Sequence, residues 1–159
     1  MRDPRIYNTW SEDEIQLYLT EHHIGRLGTI DENGFPHVVP MWYVLLDGLL
    51  YFSTRVPRKK IGNLRKNPNI SFTVDSGESF GDYRGVLVQG RAEIVEDPEI
   101  HHRYNIAFAH RHLGSEDHPY ARLLSTHKRR IFRLAVVHLL TWDYRGMPRL
   151  TEKGDRPRS

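Results

Sequence analysis

The chain has 159 residues, 38% hydrophobic and 27% charged, with 23 Lys and Arg against 20 Asp and Glu and no cysteine. That length makes one domain with a substantial core, the composition excludes a disordered chain, and no apolar run nears the ~20 residues that a bilayer-spanning helix needs. Disulfides, thiolate metal sites and cysteine nucleophiles are excluded, and a net charge of +3 suits an anionic small molecule but not, by itself, nucleic acid.

Met1-Arg2-Asp3-Pro4 lacks the apolar stretch of a signal peptide, so a cytoplasmic protein is expected. Residues 1–10 read as an N-terminal extension, 11–146 as a single domain and 147–159 as a tail, frayed from Gly146 onward. Ser11-Glu12-Asp13-Glu14 is a capping box, and Ile15, Leu17, Tyr18 and Leu19 behind it predict a helix to about His22. Ile24 to Ile30 predicts a strand and Asp31-Glu32-Asn33-Gly34 a hairpin turn. His37 to Leu46 is a second strand, and Pro40 inside it marks an edge, a bulge or a place where something other than a strand lies alongside. Asp47-Gly48 turns the chain into a third strand, Leu49 to Thr54. A short helix follows Pro57 and ends at Asn67-Pro68, because the residue before proline disfavours helical geometry. Ile70 to Val74 and Val86 to Val95 are strands separated by a polar loop. Asp97-Pro98 opens a helix to about His112. A loop or short helix over 114–127 leads to a long last strand, Arg130 to Trp142. Tight turns between strands and one short crossover helix predict a mainly β, Greek-key antiparallel barrel with peripheral helices rather than a doubly wound sheet.

The richest segment is 51–68. An apolar strand ends in two hydroxyls, Ser53 and Thr54, turns at Pro57 and enters a helix whose first turn is cationic. Positive side chains at that end oppose the helix macrodipole by about a few tenths of a kcal/mol, while its free backbone N–H groups favour an anion. Ser53, Thr54, Arg55, Arg58 and Lys60 together supply donors and charge that suit a phosphate. The alternative is a solvated basic face with no ligand.

Fragments spread from Ser11 to Gly146 carry a family likeness: Gly25-Arg26-Leu27-Gly28-Thr29-Ile30, Asn33 to Pro40, Leu50 to Thr54, Pro57 to Pro68, Val88-Gln89-Gly90-Arg91-Ala92-Glu93 and Thr141-Trp142-Asp143. In this order they resemble the pyridoxamine 5′-phosphate oxidase-like, split β-barrel flavoproteins, and among them the small flavin- or deazaflavin-dependent oxidoreductases. The resemblance implies a homodimer with the cofactor at its interface, FMN or alternatively the deazaflavin coenzyme F-420. It implies that Val38, Val39, Pro40, Met41 and Trp42 run beside the ring, which gives Pro40 its reason. It implies that Ser53, Thr54, Arg58 and Lys60 hold the phosphate, with Asn63 on the face of Lys60, and that Gln89 and Trp142 lie near the cofactor, from the same chain or from its partner. Arg55 and its basic neighbours either meet F-420's tail or face solvent. The ring does the redox work, so no catalytic side chain is required. The C-terminal run Arg145 to Leu150 departs from the substrate-phosphate pattern of pyridoxamine phosphate oxidases proper, against vitamin B6 oxidation.

Other readings remain beside this one: a flavin carrier or redox sensor without turnover, and a haem- or bilin-binding relative, which ten histidines keep open. His110 and His112 are two apart and point different ways on a helix, so they are expected to be solvated rather than metal-binding. His37 reads as a strand histidine or a substrate contact, and Trp42 and Tyr43 as core, interface or ring contact. Asp82-Tyr83-Arg84 reads as a surface loop, and Arg129-Arg130 as the start of the last strand with no ligand. Strand-borne Trp42, Tyr43, Tyr51 and Phe52 exceed what a small barrel takes, a second reason to expect a dimer. A nucleic-acid partner is not expected, since the aromatics do not interleave with the basic run.

Overall fold

The computed structural model describes residues 7–126 and 128–145. Its elements are α1 (Glu12–Glu21), β1 (Ile24–Ile30), β2 (Pro36–Leu46), β3 (Leu49–Arg55), α2 (Lys59–Lys66), β4 (Asn69–Ser76), β5 (Arg84–Val95), α3 (Pro98–Phe108), α4 (Pro119–Thr126) and β6 (Arg129–Asp143). The strands close an antiparallel barrel in the order β1-β2-β3-β6-β5-β4. The predicted mainly β class and Greek-key barrel are what the structure shows.

Local chemistry sets most boundaries. Ser11 and Glu14 form the reciprocal capping box at α1, and Asp97 caps α3 through the Glu99 N–H with Pro98 at the helix start. Asp47 and Gly48 both hold positive φ, 52° and 76°, the geometry a two-residue hairpin turn demands. β4 and β5 run longer than the apolar pattern suggests, because Asp75 opposite Gly85 and Ser76 opposite Arg84 continue the ladder. The helix from Pro98 is regular only to Phe108 and continues as a π turn over Ala109–Leu113. Tyr7 and Asn8, assigned to the extension, lie along β6: Tyr7 bridges Trp142, and the Asn8 N–H donates to the Thr141 carbonyl at 3.0 Å. The expected frayed tail lies outside the described residues.

One departure from regular pairing governs the rest. β2 pairs with β1 from Pro36 to Trp42 and with β3 from Tyr43 to Leu46, and no residue of it pairs on both sides. Continuing the β2–β3 register would set Trp42 against Ser53, Met41 against Thr54 and Pro40 against Arg55. Those pairs do not form; the two strands part there. Pro40 has no N–H to offer across that gap.

The barrel interior is packed by α1 (Ile15, Tyr18, Leu19), Leu64 of α2 and the strand residues Leu27, Tyr43, Phe52, Phe72, Val86, Phe132 and Leu134. A second core lies outside the barrel, where Val44, Leu46, Tyr51 and Ile131 meet Tyr104, Phe108 and Leu124 of the helical layer. β3 is buried on both faces, Phe52 toward the barrel and Tyr51 toward the helices. Tyr43, Tyr51 and Phe52 are thus taken up within one chain and only Trp42, 46% exposed, stays out, so overcrowding by aromatics gives no reason for a dimer.

Gly25 is required by the inner packing. A β-carbon there would lie 2.1 Å from the Phe72 ring, and that ring is fully buried, stacked on Phe52 and edge-on to Tyr43. Gly25→Ala is expected to destabilise the fold by about 1–3 kcal/mol, as overpacked cores do. Urea denaturation reads it as a lowered midpoint; an unchanged midpoint would mean that the ring moves aside freely.

Candidate functional site

The gap between β2 and β3 is a cleft of about 550 Å³. One wall is apolar: Ile24, Pro40, Met41, Trp42 and Phe108. The other end carries Arg55, Arg58, Lys60 and Arg129 with Ser53, Thr54 and Tyr120. Among the described residues no carboxylate lines it and none of the four cations forms an ion pair, whereas Lys59, Lys66, Arg103 and Arg133 outside it are paired with Asp31, Glu32, Asp47 and Glu93.

Each group is fixed by its element. Ser53 faces the helical layer and is 5% exposed. Its Oγ accepts from the Tyr104 hydroxyl at 3.0 Å and from Arg129 Nη2 at 2.6 Å. Both lone pairs are engaged, which leaves the Ser53 proton to donate. Register sets Arg129 opposite Arg55 across the β3–β6 ladder, and Arg55 Nη2 donates to the Tyr120 hydroxyl at 3.2 Å. Burial pushes the Tyr120 phenol up, but Arg129 and Arg55 outweigh it and leave its pKa lowered. The N-cap of α2 is Arg58, extended and without a side-chain cap. Lys60, in the first turn, is half-buried with Nζ 3.2 Å from Met41 Sδ; burial first, then Arg58 and Arg129, lower its pKa.

The aromatic wall depends on the π turn. It swings His112 inward, where Nε2–H donates to the Tyr43 carbonyl at 2.8 Å and the ring stacks on Trp42, centroids 5.7 Å apart. His112 is therefore not the solvated helical histidine that its spacing suggests, whereas His110 is exposed beside Glu116. Burial, with help from Arg111 and against the Tyr43 hydrogen bond, brings the His112 pKa from 6.5 down to about 4.

A second cleft of about 430 Å³ lies on the outer face of the sheet, where Gly28, Val38, Ser71, Gln89, Val137 and His138 contribute. The residues singled out from sequence thus separate. Pro40, Met41, Trp42, Ser53, Thr54, Arg55, Arg58 and Lys60 converge on the first cleft, while Val38 and Gln89 line the second. Val39 packs against the barrel core. Asn63 lines neither cleft: it is 5% exposed, and its Nδ2 donates to Thr29 Oγ1 at 3.0 Å, tying α2 to β1. Trp142 is 8% exposed and lines neither, lying against Gly85 and Tyr83. His37, Tyr43 and Asp143, the acids and bases nearest the implied ring in sequence, also stand outside both clefts. Tyr43 is core, and Asp143 is held by Arg145 and Trp10. Arg129, expected to have no ligand, and Ile24, Phe108 and Tyr120, not singled out from sequence, also line the first cleft; the hydroxyl–guanidinium register across β3 and β6 is the signal for Arg129, and nothing local marks the other three. Among the described residues no cluster of three or more metal-ligating side chains occurs, and no helix is long and apolar enough to cross a membrane.

A model of the pyridoxamine 5′-phosphate oxidase family matches residues 11–143. No curated protein matches the chain in sequence. Conserved hypothetical protein Rv2991 from Mycobacterium tuberculosis is similar over 98% of both chains, at 31% identity and a TM-score of 0.83. A FAD-binding protein from Mesorhizobium loti is similar over 86% of this chain and 95% of that one, at 27% identity and a TM-score of 0.63. The haem storage protein HutZ from Vibrio cholerae shares the fold, covering 81% of this chain and 92% of that one at 21% identity and a TM-score of 0.67.

Two outcomes follow from this geometry. Asn63→Ala leaves a buried hydroxyl short of a partner, so it is expected to lower stability by about 1–3 kcal/mol; the urea midpoint falls, and an unchanged midpoint would refute the tie between α2 and β1. His112 titrates near 6.5 unfolded and about 4 folded. The unfolded chain therefore binds the proton first, and stability present above pH 6.5 is lost as pH falls toward 4. Melting temperature is expected to drop across that window, and His112→Gln to flatten the drop; an equal slope in the variant would contradict it.

Proposed function

The chain belongs to the pyridoxamine 5′-phosphate oxidase family, and from that premise we propose that it is a flavin-dependent oxidoreductase with FMN held in the gap between β2 and β3. The observation that carries this reading is the cationic end of that cleft. Like charges crowded together raise each other's energy; burial first, and then Arg58 and Arg129, lower the pKa of Lys60. A phosphate removes that repulsion and accepts hydrogen bonds from Arg55, Arg129 and the free Ser53 proton. The apolar wall of Pro40, Met41, Trp42 and Phe108 suits a flat, largely apolar ring. The Mesorhizobium relative described as FAD-binding supports a flavin.

Bound there, a flavin supplies hydride transfer to a small organic acceptor, and the protein supplies binding, orientation and local electrostatics. The chain's own work is to seat the ring against Trp42, which His112 braces, and to keep the phosphate end fixed.

A second copy of the chain completes the reading. Val38, Val136, Val137 and Leu139 stand 42–61% exposed, an apolar face of the kind that marks an interface. We infer a homodimer through this face, which also bounds the cleft holding Gln89, so that Gln89 meets the cofactor of the other subunit. Coenzyme F-420 is the second reading: four cations exceed what one phosphate dianion neutralises, and the carboxylates of its tail would take up the surplus.

Arg129→Ala is expected to weaken FMN binding by about 1.5–3 kcal/mol, the range for a charge-assisted hydrogen bond. Flavin fluorescence titration measures it, and an unchanged Kd would place the phosphate elsewhere. Titrating with F-420 in parallel decides between the cofactors by which Kd is lower. Val137→Glu is expected to yield a monomer by light scattering; a dimer of undiminished stability would refute the apolar face as the interface.

A further inference from the structure

We propose that the end of the barrel beside α2 is a binding site for a short branched-chain carboxylate, its alkyl body held by Ile61, Leu64, Ala92, Ile94 and Phe132 and its carboxylate by Arg65 and Arg130. This goes beyond the flavin reading and does not need it, since neither arginine lines the cleft between β2 and β3.

Alternation along the strands builds the site. Arg130, Phe132 and Leu134 of β6 share one face, as do Ala92 and Ile94 of β5. Phe132, Leu134 and Ala92 belong to the barrel core, so Arg130 and Ile94 carry that core face out to the rim. Ile94 stands opposite Phe132 in register, yet it is 51% exposed. From α2, Ile61, Leu64 and Arg65 close over the same spot and leave a pocket of about 80 Å³. A cavity of ~150 Å³ takes benzene, so this smaller one suits a branched alkyl group of a few carbons rather than a ring or a long chain.

Charge at the rim selects the ligand. On the opposite face of the same two strands, Arg133 meets Glu93 across the ladder. Along α2, Lys59 and Lys66 meet Asp31 and Glu32. Arg130 has the uncharged Thr54 as its neighbour on β3, and among the described residues neither Arg65 nor Arg130 forms an ion pair and no carboxylate lines the pocket. Two guanidiniums beside a small apolar pocket match a carboxylate, which accepts charge-assisted hydrogen bonds from both. The mouth of a β-barrel, apolar with a few convergent polar groups, is a usual place for a small ligand. An alcohol of the same shape fills the pocket but leaves the guanidiniums to water, and an anion with no alkyl body leaves the pocket empty.

The test titrates isovalerate into the full chain without added flavin and follows the methyl resonances of Ile61, Ala92 and Ile94 by nuclear magnetic resonance. Saturable shifts of those methyls are expected at about millimolar ligand, in keeping with so few heavy atoms. Isoamyl alcohol and formate should each bind about tenfold more weakly or worse. Arg130→Met and Arg65→Met, which keep an apolar stem, should each weaken isovalerate by about tenfold, the effect of losing one charge-assisted contact. Both arginines are exposed, so neither change threatens the fold. Arg55→Ala, in the other cleft, should leave the titration as it is. No saturable shift would mean that the two arginines only cover the barrel end with their stems, and equal binding of isoamyl alcohol would mean an apolar pocket without a carboxylate site. Either result overturns the proposal, as does binding that is lost in Arg55→Ala but kept in Arg130→Met. Flavin titration is read separately, and its outcome bears on the flavin reading alone.

Discussion

β2 is held on one side at a time, by β1 as far as Trp42 and by β3 from Tyr43 on, and the rest of the molecule follows from that change of partner. Had the β2–β3 ladder continued, Trp42, Met41 and Pro40 would have covered Ser53, Thr54 and Arg55, and the wall would be shut. Instead the strands part and their last residues line opposite sides of a cleft. Pro40 makes the parting permanent from one side, because it brings no N–H to that ladder. From the other side, Arg129 draws the end of β3 toward β6 through Ser53. A barrel that is tightly packed inside thereby carries a binding site in its wall rather than in its interior.

Charge is distributed with the same logic. The carboxylates Asp31, Glu32, Asp47 and Glu93 neutralise cations on the exterior, where such pairs contribute little to stability. None reaches the cleft. Its cations are left with one another, with hydroxyls and with the sulfur of Met41. An anion therefore meets groups whose hydrogen-bonding capacity toward carboxylates is still unused. That conclusion rests on which residues pair across the ladders and not on the modest net charge of the whole chain.

Much of this was legible in the residues because it is local. Ser11 to Glu14, Asp47-Gly48 and Asp97-Pro98 each carry their own geometry, and 51–68 contains its hydroxyls, turn and cationic helix within one short stretch. What escaped is non-local. Arg129 joins the site through its register opposite Arg55, far away in the sequence. Tyr120 arrives on a helix whose position no neighbouring residue dictates. Asn63 shares a helix with Lys60, yet it turns to Thr29, since a helical face says which residues are adjacent and not what they meet. His112 was misjudged because the regular helical spacing used to place it fails at Ala109, where the backbone changes to a π turn. The likeness of order that ties the chain to its family fixes the barrel; it does not by itself say which side chain of a pair faces the cleft.

The two cores have a consequence for how the protein moves. The cleft takes its cations and hydroxyls from the barrel strands and α2, but Phe108 and Tyr120 from the helical layer that packs on the far side of β3. That layer meets the barrel through a separate apolar cluster, so it can open as a unit while the barrel stays folded. A ligand that touches both parts ties them into one cooperative body, and its binding energy becomes protection against that opening. Occupancy of the cleft is then written into amide exchange along α3, from Phe108 at the cleft back toward the start of the helix.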